Sequence, residues 1–195
     1  IVTAVSTRGQ ILFLTDTSAH GMSFIGAPFT FGFQKLGTNC GAVSPHCAVD
    51  ISGIIYWMSS DGFYMFDGTV RKMPCTVEDF VFDNIDTTQL EQVYAGSNSA
   101  FGEVIWFYCS TASNQIDRYV IFNYQEKLWY TGSLDRSTWI DSGTYSLPYA
   151  TKYDGSANTT VYVHESGKND DGSTMTSYIE SGDFDISDGE DMMFV

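Results

Sequence analysis

The side chains that most often carry out catalysis are few in this sequence, and their spacing matches no familiar catalytic motif. There are three histidines, His20, His46 and His164, and none lies in a pattern typical of the base that activates a nucleophile. The sequence contains no G-x-S-x-G motif and no glycine-rich phosphate-binding loop. The sequence therefore offers no support for a serine hydrolase or a nucleotide-dependent enzyme.

The cysteines do not indicate a metal site. Cys40, His46 and Cys47 form the one Cys/His cluster, and a structural zinc ion would need a fourth ligand from elsewhere in the chain. Four cysteines also allow two disulfides. We favour free buried thiols, because 14 Phe, 12 Tyr and 4 Trp residues supply ample core and no secretion signal is visible.

Carboxylates are abundant, since the chain has 24 Asp and Glu residues against 9 Lys and Arg residues, for a net charge of −15. A glycoside hydrolase needs two carboxylates about 5 to 9.5 Å apart, and a pair can arise by chance among so many. Residues 133–139 resemble the aspartate box of sialidase-type propellers, but the glycine expected after Asp135 is replaced and the spacing is one residue short. The arginines that a sialidase would cluster are dispersed: Arg8, Arg71, Arg118 and Arg136.

The negative charge is concentrated near the C-terminal end, and a surface of this sign repels DNA and anionic membranes. Residues 183–189 resemble a calcium-binding loop but do not fit its template. No metal or cofactor is therefore predicted. No apolar run is long enough for a membrane helix, and no membrane insertion is predicted. The candidate acidic face comprises Glu165, Asp170, Asp171, Asp183 and Asp185.

Short runs of β-branched and aromatic residues recur between turn residues, and this pattern predicts an all-β chain. Similar strands near residues 11, 54, 104 and 161 predict antiparallel four-stranded blades of an incomplete β-propeller. An ordinary sandwich is the alternative. One short helix is predicted near residues 87–94, from a capping-box pattern. The predicted blade units are residues 8–45, 46–86, 97–146 and 147–189 of one domain.

Aromatic side chains at equivalent strand positions are expected to fill the blade cores. The alternative is that exposed aromatic rings stack on sugars. A blade buries its faces against neighbouring blades, so about four blades should leave two open apolar sides. The predicted blade-core residues are Trp57, Tyr64, Trp106, Tyr119 and Trp129.

Several stretches resemble virion structural proteins of tailed bacteriophages, and most closely the packaged-DNA stabilisation and tail nozzle proteins of short-tailed phages. The stretches are residues 31–37, 40–41, 48–49, 53–58, 62–68, 74–75 and 118–124, then Trp129, residues 164–167 and residues 177–181. The motifs describe strands and turns rather than catalytic groups.

The resemblance implies a non-enzymatic protein with no catalytic residues. Copies of it would form a ring around the DNA exit channel, in contact with other tail or portal proteins, and DNA would pass through without sequence-specific binding. It would be assembled in the cytoplasm of the bacterial host and located in the virion. The start at Ile1 and the apolar last residues predict a fragment of a longer protein. The alternatives are a carbohydrate-binding propeller for host-surface recognition and, less favoured, a glycoside hydrolase.

Overall fold

A computed structural model describes residues 1–153, 155, 159–170 and 172–174 of the 195-residue chain. The chain divides into two compact units, Ile1–Glu165 and Ser166–Val195. In the second unit the described residues include a small antiparallel hairpin, with strands Asn169–Asp170 and Ser173–Thr174.

The described part of the first unit consists mainly of four antiparallel sheets, each formed by strands that follow one another in the chain. The first sheet contains β1 (Thr3–Ser6), β2 (Ile11–Leu14), β3 (Ser18–Phe24) and β4 (Phe31–Thr38). The second contains β5 (Ala48–Ile51), β6 (Ile54–Ser59), β7 (Gly62–Phe66) and β8 (Val70–Lys72). The third contains β9 (Tyr94–Asn98), β10 (Glu103–Tyr108), β11 (Arg118–Asn123) and β12 (Leu128–Ser133). The fourth contains β13 (Thr138–Ile140), β14 (Tyr149–Tyr153) and β15 (Thr159–Val163).

Tight turns set the register of these hairpins. Between β5 and β6, Ile51 pairs directly with Ile54, which leaves Ser52 and Gly53 as a two-residue loop. Both loop residues have positive φ, 55° and 92°. This is the conformation that a type I′ hairpin turn needs, because its twist matches that of the flanking strands.

Successive sheets lie side by side along their first strands: β1 contacts β5, β5 contacts β9, and β9 contacts β13. This arrangement is compatible with consecutive propeller blades. It differs from a two-sheet sandwich, because the described strands of the first unit form four separate sheets. The prediction of an all-β fold is confirmed.

In the third sheet, β10 is buried on both faces, and the alternation along this strand shows why. Trp106 and its i±2 neighbours, Val104 and Tyr108, lie in the main core with residues of the first two sheets. Ile105 and Phe107 point the opposite way into a second core that includes residues of the fourth sheet. A strand covered on both sides should be apolar without interruption, as residues 104–108 are.

The helix lies earlier in the chain than predicted. The α-helix α1 spans Glu78–Asn84, and the predicted helical segment near 87–94 contains only a 3-10 turn at Leu90–Gln92. Burial of Val81 stabilises α1, although no side chain caps its N-terminus. In the predicted segment the chain instead enters β9 at Tyr94. Tertiary contacts therefore override the local capping pattern.

The sheets also begin at positions other than the predicted unit boundaries. The first, second, third and fourth sheets begin at Thr3, Ala48, Tyr94 and Thr138, against predicted unit starts of 8, 46, 97 and 147. The strands predicted near 11, 54 and 104 are the second strands of their sheets, and the one near 161 is the third of its sheet. The first strand of each sheet was not predicted, because these strands are short or rich in small residues, as in the sequence YAGSN of β9.

Candidate interaction surfaces

All four tryptophans are buried, and each indole N–H donates a hydrogen bond to the backbone of the preceding sheet or its connecting segments. The donor and acceptor pairs are Trp57 to the Cys40 carbonyl (2.9 Å), Trp106 to Cys47 (3.0 Å), Trp129 to Pro74 (2.9 Å) and Trp139 to Ser97 (2.7 Å). A buried indole needs such an acceptor. The four indoles are therefore held as packing groups and are not available to stack on sugars.

The predicted blade-core residues lie in these packed regions. Trp57, Trp106 and Trp129 are buried in the main core. Tyr64 stacks on Trp57, with ring centroids 5.8 Å apart, and its hydroxyl donates to the Asn39 carbonyl at 3.0 Å. Tyr119 is half-buried and packs against the second core.

Most residues of the predicted acidic face are not among those that the structure describes. Glu165 is exposed at the end of the first unit, and Asp170 belongs to the small hairpin of the second unit. Asp171, Asp183 and Asp185 lie outside the described residues. The prediction that these carboxylates share one face therefore stays a prediction.

Sequence reasoning missed a pair of carboxylates that one amide holds together. Asn98 Nδ2 donates to Glu103 Oε2 at 3.3 Å and to Glu165 Oε1 at 3.2 Å. The two carboxylates therefore lie within two hydrogen-bond lengths of one another. Asn98 and Glu103 are cross-strand partners on β9 and β10, whereas Glu165 is 62 positions later in the chain. Strand pairing would have indicated the first contact, and no local signal indicates the second.

Burial raises the pKa of the Glu103 carboxyl above its ordinary value of 4.5, and the nearby Glu165 carboxylate raises it further. Folded protein therefore takes up this proton more readily than unfolded chain does. Ionised Glu103 destabilises the fold at neutral pH, and this cost disappears as the pH falls through the folded-state pKa.

Glu103→Gln is expected to raise the free energy of unfolding at pH 7, because it removes this half-buried charge and its repulsion by Glu165. The advantage over the wild type should shrink as the pH falls toward 4.5, where the wild-type carboxyl is itself protonated. Urea unfolding at a series of pH values measures both effects. Glu91→Gln, which removes an exposed carboxylate, is the matched control. A gain independent of pH would contradict the assignment.

Residues 133–139, which resemble an aspartate box, form a different arrangement. Asp135 accepts from the buried guanidinium of Arg136 at 2.8 Å and also pairs with Lys152. Arg136 Nε lies 3.0 Å from His164 Nε2, and the guanidinium lies over the Tyr162 ring. These contacts balance a buried charge. The segment therefore anchors the fourth sheet, and Asp135 is not the turn-capping aspartate of an aspartate box.

The histidines and cysteines have separate structural roles. Ser18 hydrogen-bonds to His20, His46 stacks against Tyr94, and His164 lies against Trp139 and Arg136. All four cysteines are free thiols. Within the described ranges, no group of three or more His, Cys, Asp or Glu side chains is placed to hold a metal ion, and no helix is long and apolar enough to span a membrane.

The first sheet exposes an apolar face, which we call the first outer face. Leu12, Leu14 and Ala19 point into the main core. The alternation of a strand places their neighbours on the opposite side. There the side chains of Phe24 and Phe33 are 72% and 71% exposed. The residues of the first outer face are Ile11, Phe13, Met22, Phe24, Phe31 and Phe33, matched across the sheet by strand pairing.

The fourth sheet exposes a second apolar face, which we call the last outer face. Trp139 and Ala150 are buried toward the third sheet, so their neighbours along the strands point away from it. Val161 is 61% exposed. The residues of the last outer face are Thr138, Ile140, Tyr149, Thr151, Val161 and Val163, which strand pairing places on one side.

Comparison with models of protein families and with curated proteins finds no match to this chain. The two outer faces, rather than a family assignment, are therefore the basis for a functional argument.

Proposed function

We propose that this chain is a non-catalytic structural component of a bacteriophage tail, part of a nozzle or connector ring around the DNA exit channel that helps to retain and guide the genome. The observation that carries the proposal is the pair of apolar outer faces on the first and fourth sheets. The strands β6 and β10 of the middle sheets are buried on both faces, whereas each end sheet has one exposed apolar face. Such a series of sheets suits a building block that continues into a larger assembly.

The exposed apolar side chains support this argument by their distribution. Most large exposed apolar residues of the described part lie in the two end sheets or the loops that join their strands. Contiguous apolar surface of this kind is typical of a surface that another protein covers, whereas singly scattered apolar residues need no explanation. A protein that worked alone would leave this surface in water.

The negative charge of the chain is compatible with a position beside DNA that slides through a channel. With a net charge of −15, the surface repels phosphates, because binding to them normally requires Lys or Arg side chains. A channel lined by such a surface would let DNA slide without adhering. The proposed assembly is a ring of copies in contact with other tail or portal proteins in the virion, put together in the host cytoplasm.

Two experiments test the proposal. Mass spectrometry of purified virions from the phage that encodes this sequence should detect it in a fixed copy number, and electron microscopy of the tail should show ring-shaped density labelled by an antibody against the chain. Absence from virions, together with a strictly monomeric full-length protein, would overturn the proposal.

The Glu103 and Glu165 pair favours one competing function, glycoside hydrolysis. The reaction needs two neighbouring carboxylates, one of them with a raised pKa, and Glu103 has that property. A screen of fluorogenic glycosides decides between the two functions. Turnover that Glu103→Gln abolishes would establish the hydrolase, and silence across the screen would leave the structural role.

A further inference from the structure

We propose that Asn98, Glu103 and Glu165 form a binding site for one calcium ion, with side-chain oxygens of all three residues as ligands. Asn98 and Glu103 pair across β9 and β10, and Glu165 ends the first unit. The site combines two carboxylates with one amide, so it is compatible with the lack of a group of three His, Cys, Asp or Glu side chains in the described ranges. The proposal goes beyond the structural role in a tail and does not depend on it.

The oxygen of the Asn98 side chain is buried and unsatisfied. Asn98 is 2% exposed, and its Oδ1 has no hydrogen-bond partner among the described residues. Most buried polar atoms in proteins bond to protein, water or an ion, because an unbonded one costs free energy. The amide is directed at both carboxylates, since its Nδ2 donates to Glu103 and to Glu165. A cation bound among the three side chains would supply the partner that Oδ1 lacks.

A half-turn of the Asn98 amide about its Cβ–Cγ bond brings this oxygen to the carboxylates. The rotation exchanges Oδ1 with Nδ2, which has nearly the same size. Oδ1 then takes the position from which Nδ2 now lies 3.3 Å from Glu103 Oε2 and 3.2 Å from Glu165 Oε1. Three oxygens this close repel one another unless a cation lies between them. With calcium bound, bonds to the ion replace the two hydrogen bonds of Nδ2.

The spacing of these oxygens suits calcium better than magnesium. Two oxygens that bind Ca²⁺ at about 2.3–2.6 Å and at a right angle lie about 3.3–3.7 Å apart, whereas Mg²⁺ bonds of about 2.0–2.1 Å bring them to about 2.8–3.0 Å. Calcium also accepts both oxygens of a carboxylate and takes about six to eight oxygen ligands in flexible geometry. Glu165 is exposed, so water can reach the site and complete the coordination.

The two carboxylates repel each other when no cation is bound. Burial and the neighbouring Glu165 carboxylate raise the pKa of half-buried Glu103. A calcium ion between the two groups removes this repulsion and favours the ionised form of both. Because Glu165 follows the fourth sheet and Glu103 lies on the third, the bound ion would also hold the end of the first unit against β10.

Thermal unfolding of the 195-residue chain with and without calcium chloride tests the site. With two carboxylates and one amide as ligands, we expect a Kd of about 10⁻⁴–10⁻³ M. Calcium at about 10 mM should then raise the unfolding midpoint by about 3–10 °C, because it binds the folded state. Sodium chloride at the same ionic strength controls for screening of the net charge of −15. Magnesium chloride should raise the midpoint less than calcium chloride does.

Glu165→Gln separates this site from the other carboxylates of an acidic chain. Glu165 is exposed, so the variant should fold, and its affinity for calcium should fall by about tenfold or more because one charged ligand is lost. Glu91→Gln removes an equally exposed carboxylate elsewhere and should keep the full calcium shift. An unchanged shift in Glu165→Gln, or a wild-type shift no larger than that from sodium chloride, would overturn the site.

Glu103→Gln separates loss of a ligand from damage to the fold. Without calcium this variant should be more stable than the wild type at pH 7, because the repulsion between the two carboxylates is gone. With calcium it should lose most of the shift in the unfolding midpoint. Opposite effects of this kind do not arise from a weakened fold. A Glu103→Gln chain that kept the full calcium shift would overturn the site, whereas the proposed function is decided separately by virion mass spectrometry.

Discussion

Replacing Trp106 with alanine is expected to lower the free energy of unfolding by about 3–5 kcal/mol, as for other large buried aromatic residues. Trp106 is fully buried, its ring centroid lies 4.9 Å from that of Phe63, and its indole N–H donates to the Cys47 carbonyl at 3.0 Å. The change opens a cavity where the second and third sheets meet, and it leaves that carbonyl with the longer hydrogen bond from the Met58 N–H (3.3 Å). Urea denaturation followed by circular dichroism measures the loss.

Two control variants separate the causes. Trp106→Phe keeps much of the packing and removes the hydrogen bond, so it should cost less than the alanine variant. Tyr130→Ala removes an aromatic side chain that is 40% exposed on β12 and should change stability little. If Trp106→Ala were no more damaging than Tyr130→Ala, the packing described for the second and third sheets would be wrong.

Gly41→Ala should destabilise the fold by about 3 kcal/mol, at the upper end of the usual cost of forcing atoms into a packed site. A Cβ at Gly41 would collide with the backbone of Asp16 and Thr17. Backbone hydrogen bonds hold the two segments together, from Cys40 N to the Thr17 carbonyl and from Ala42 N to the Thr15 carbonyl. The obstruction is backbone on both sides, so a side-chain rotation cannot relieve it.

Gly26→Ala is the matched control for this glycine. A Cβ there would have no neighbour within 4 Å, although the φ of +84° disfavours any residue with a side chain. Its cost should stay at about 1 kcal/mol, from backbone strain alone. Thermal unfolding of both variants measures the difference. Equal losses at the two positions would contradict the collision at Gly41, because Gly41, unlike Gly26, does not have a positive φ.

The periodic, aromatic-rich strands were predictable from the sequence. The alternation and turn residues around β6 and β7 indicated a hairpin, and their pairing has Tyr64 opposite Trp57. The opening strand β9 was not predicted at its position, because Ala, Gly and Ser carry no strand signal of their own. It forms because the neighbouring strand β10 and the preceding sheet supply its partners, including the Ala95 N–H bond to the His46 carbonyl.

The sequence predicted which types of surface feature would occur, but not the residues that form them. Two open apolar sides follow from any short series of blades, and the sequence predicted them without naming their residues. The Asn98 amide brings Glu103 and Glu165 together only because the segment that follows the fourth sheet lies next to the third sheet. No spacing of residues in the sequence indicates this contact. The shift of the helix to Glu78–Asn84 likewise depends on the core that receives Val81.

The burial of β10 on both faces bears on the order in which regions of the molecule unfold. Local unfolding begins where the fewest apolar contacts must be broken. The end sheets have a neighbour on one side, so they should detach before the third sheet, whose β10 amides would then exchange with solvent most slowly. Partners that cover the end sheets would remove this weakness, so assembly would also slow the fraying of each subunit.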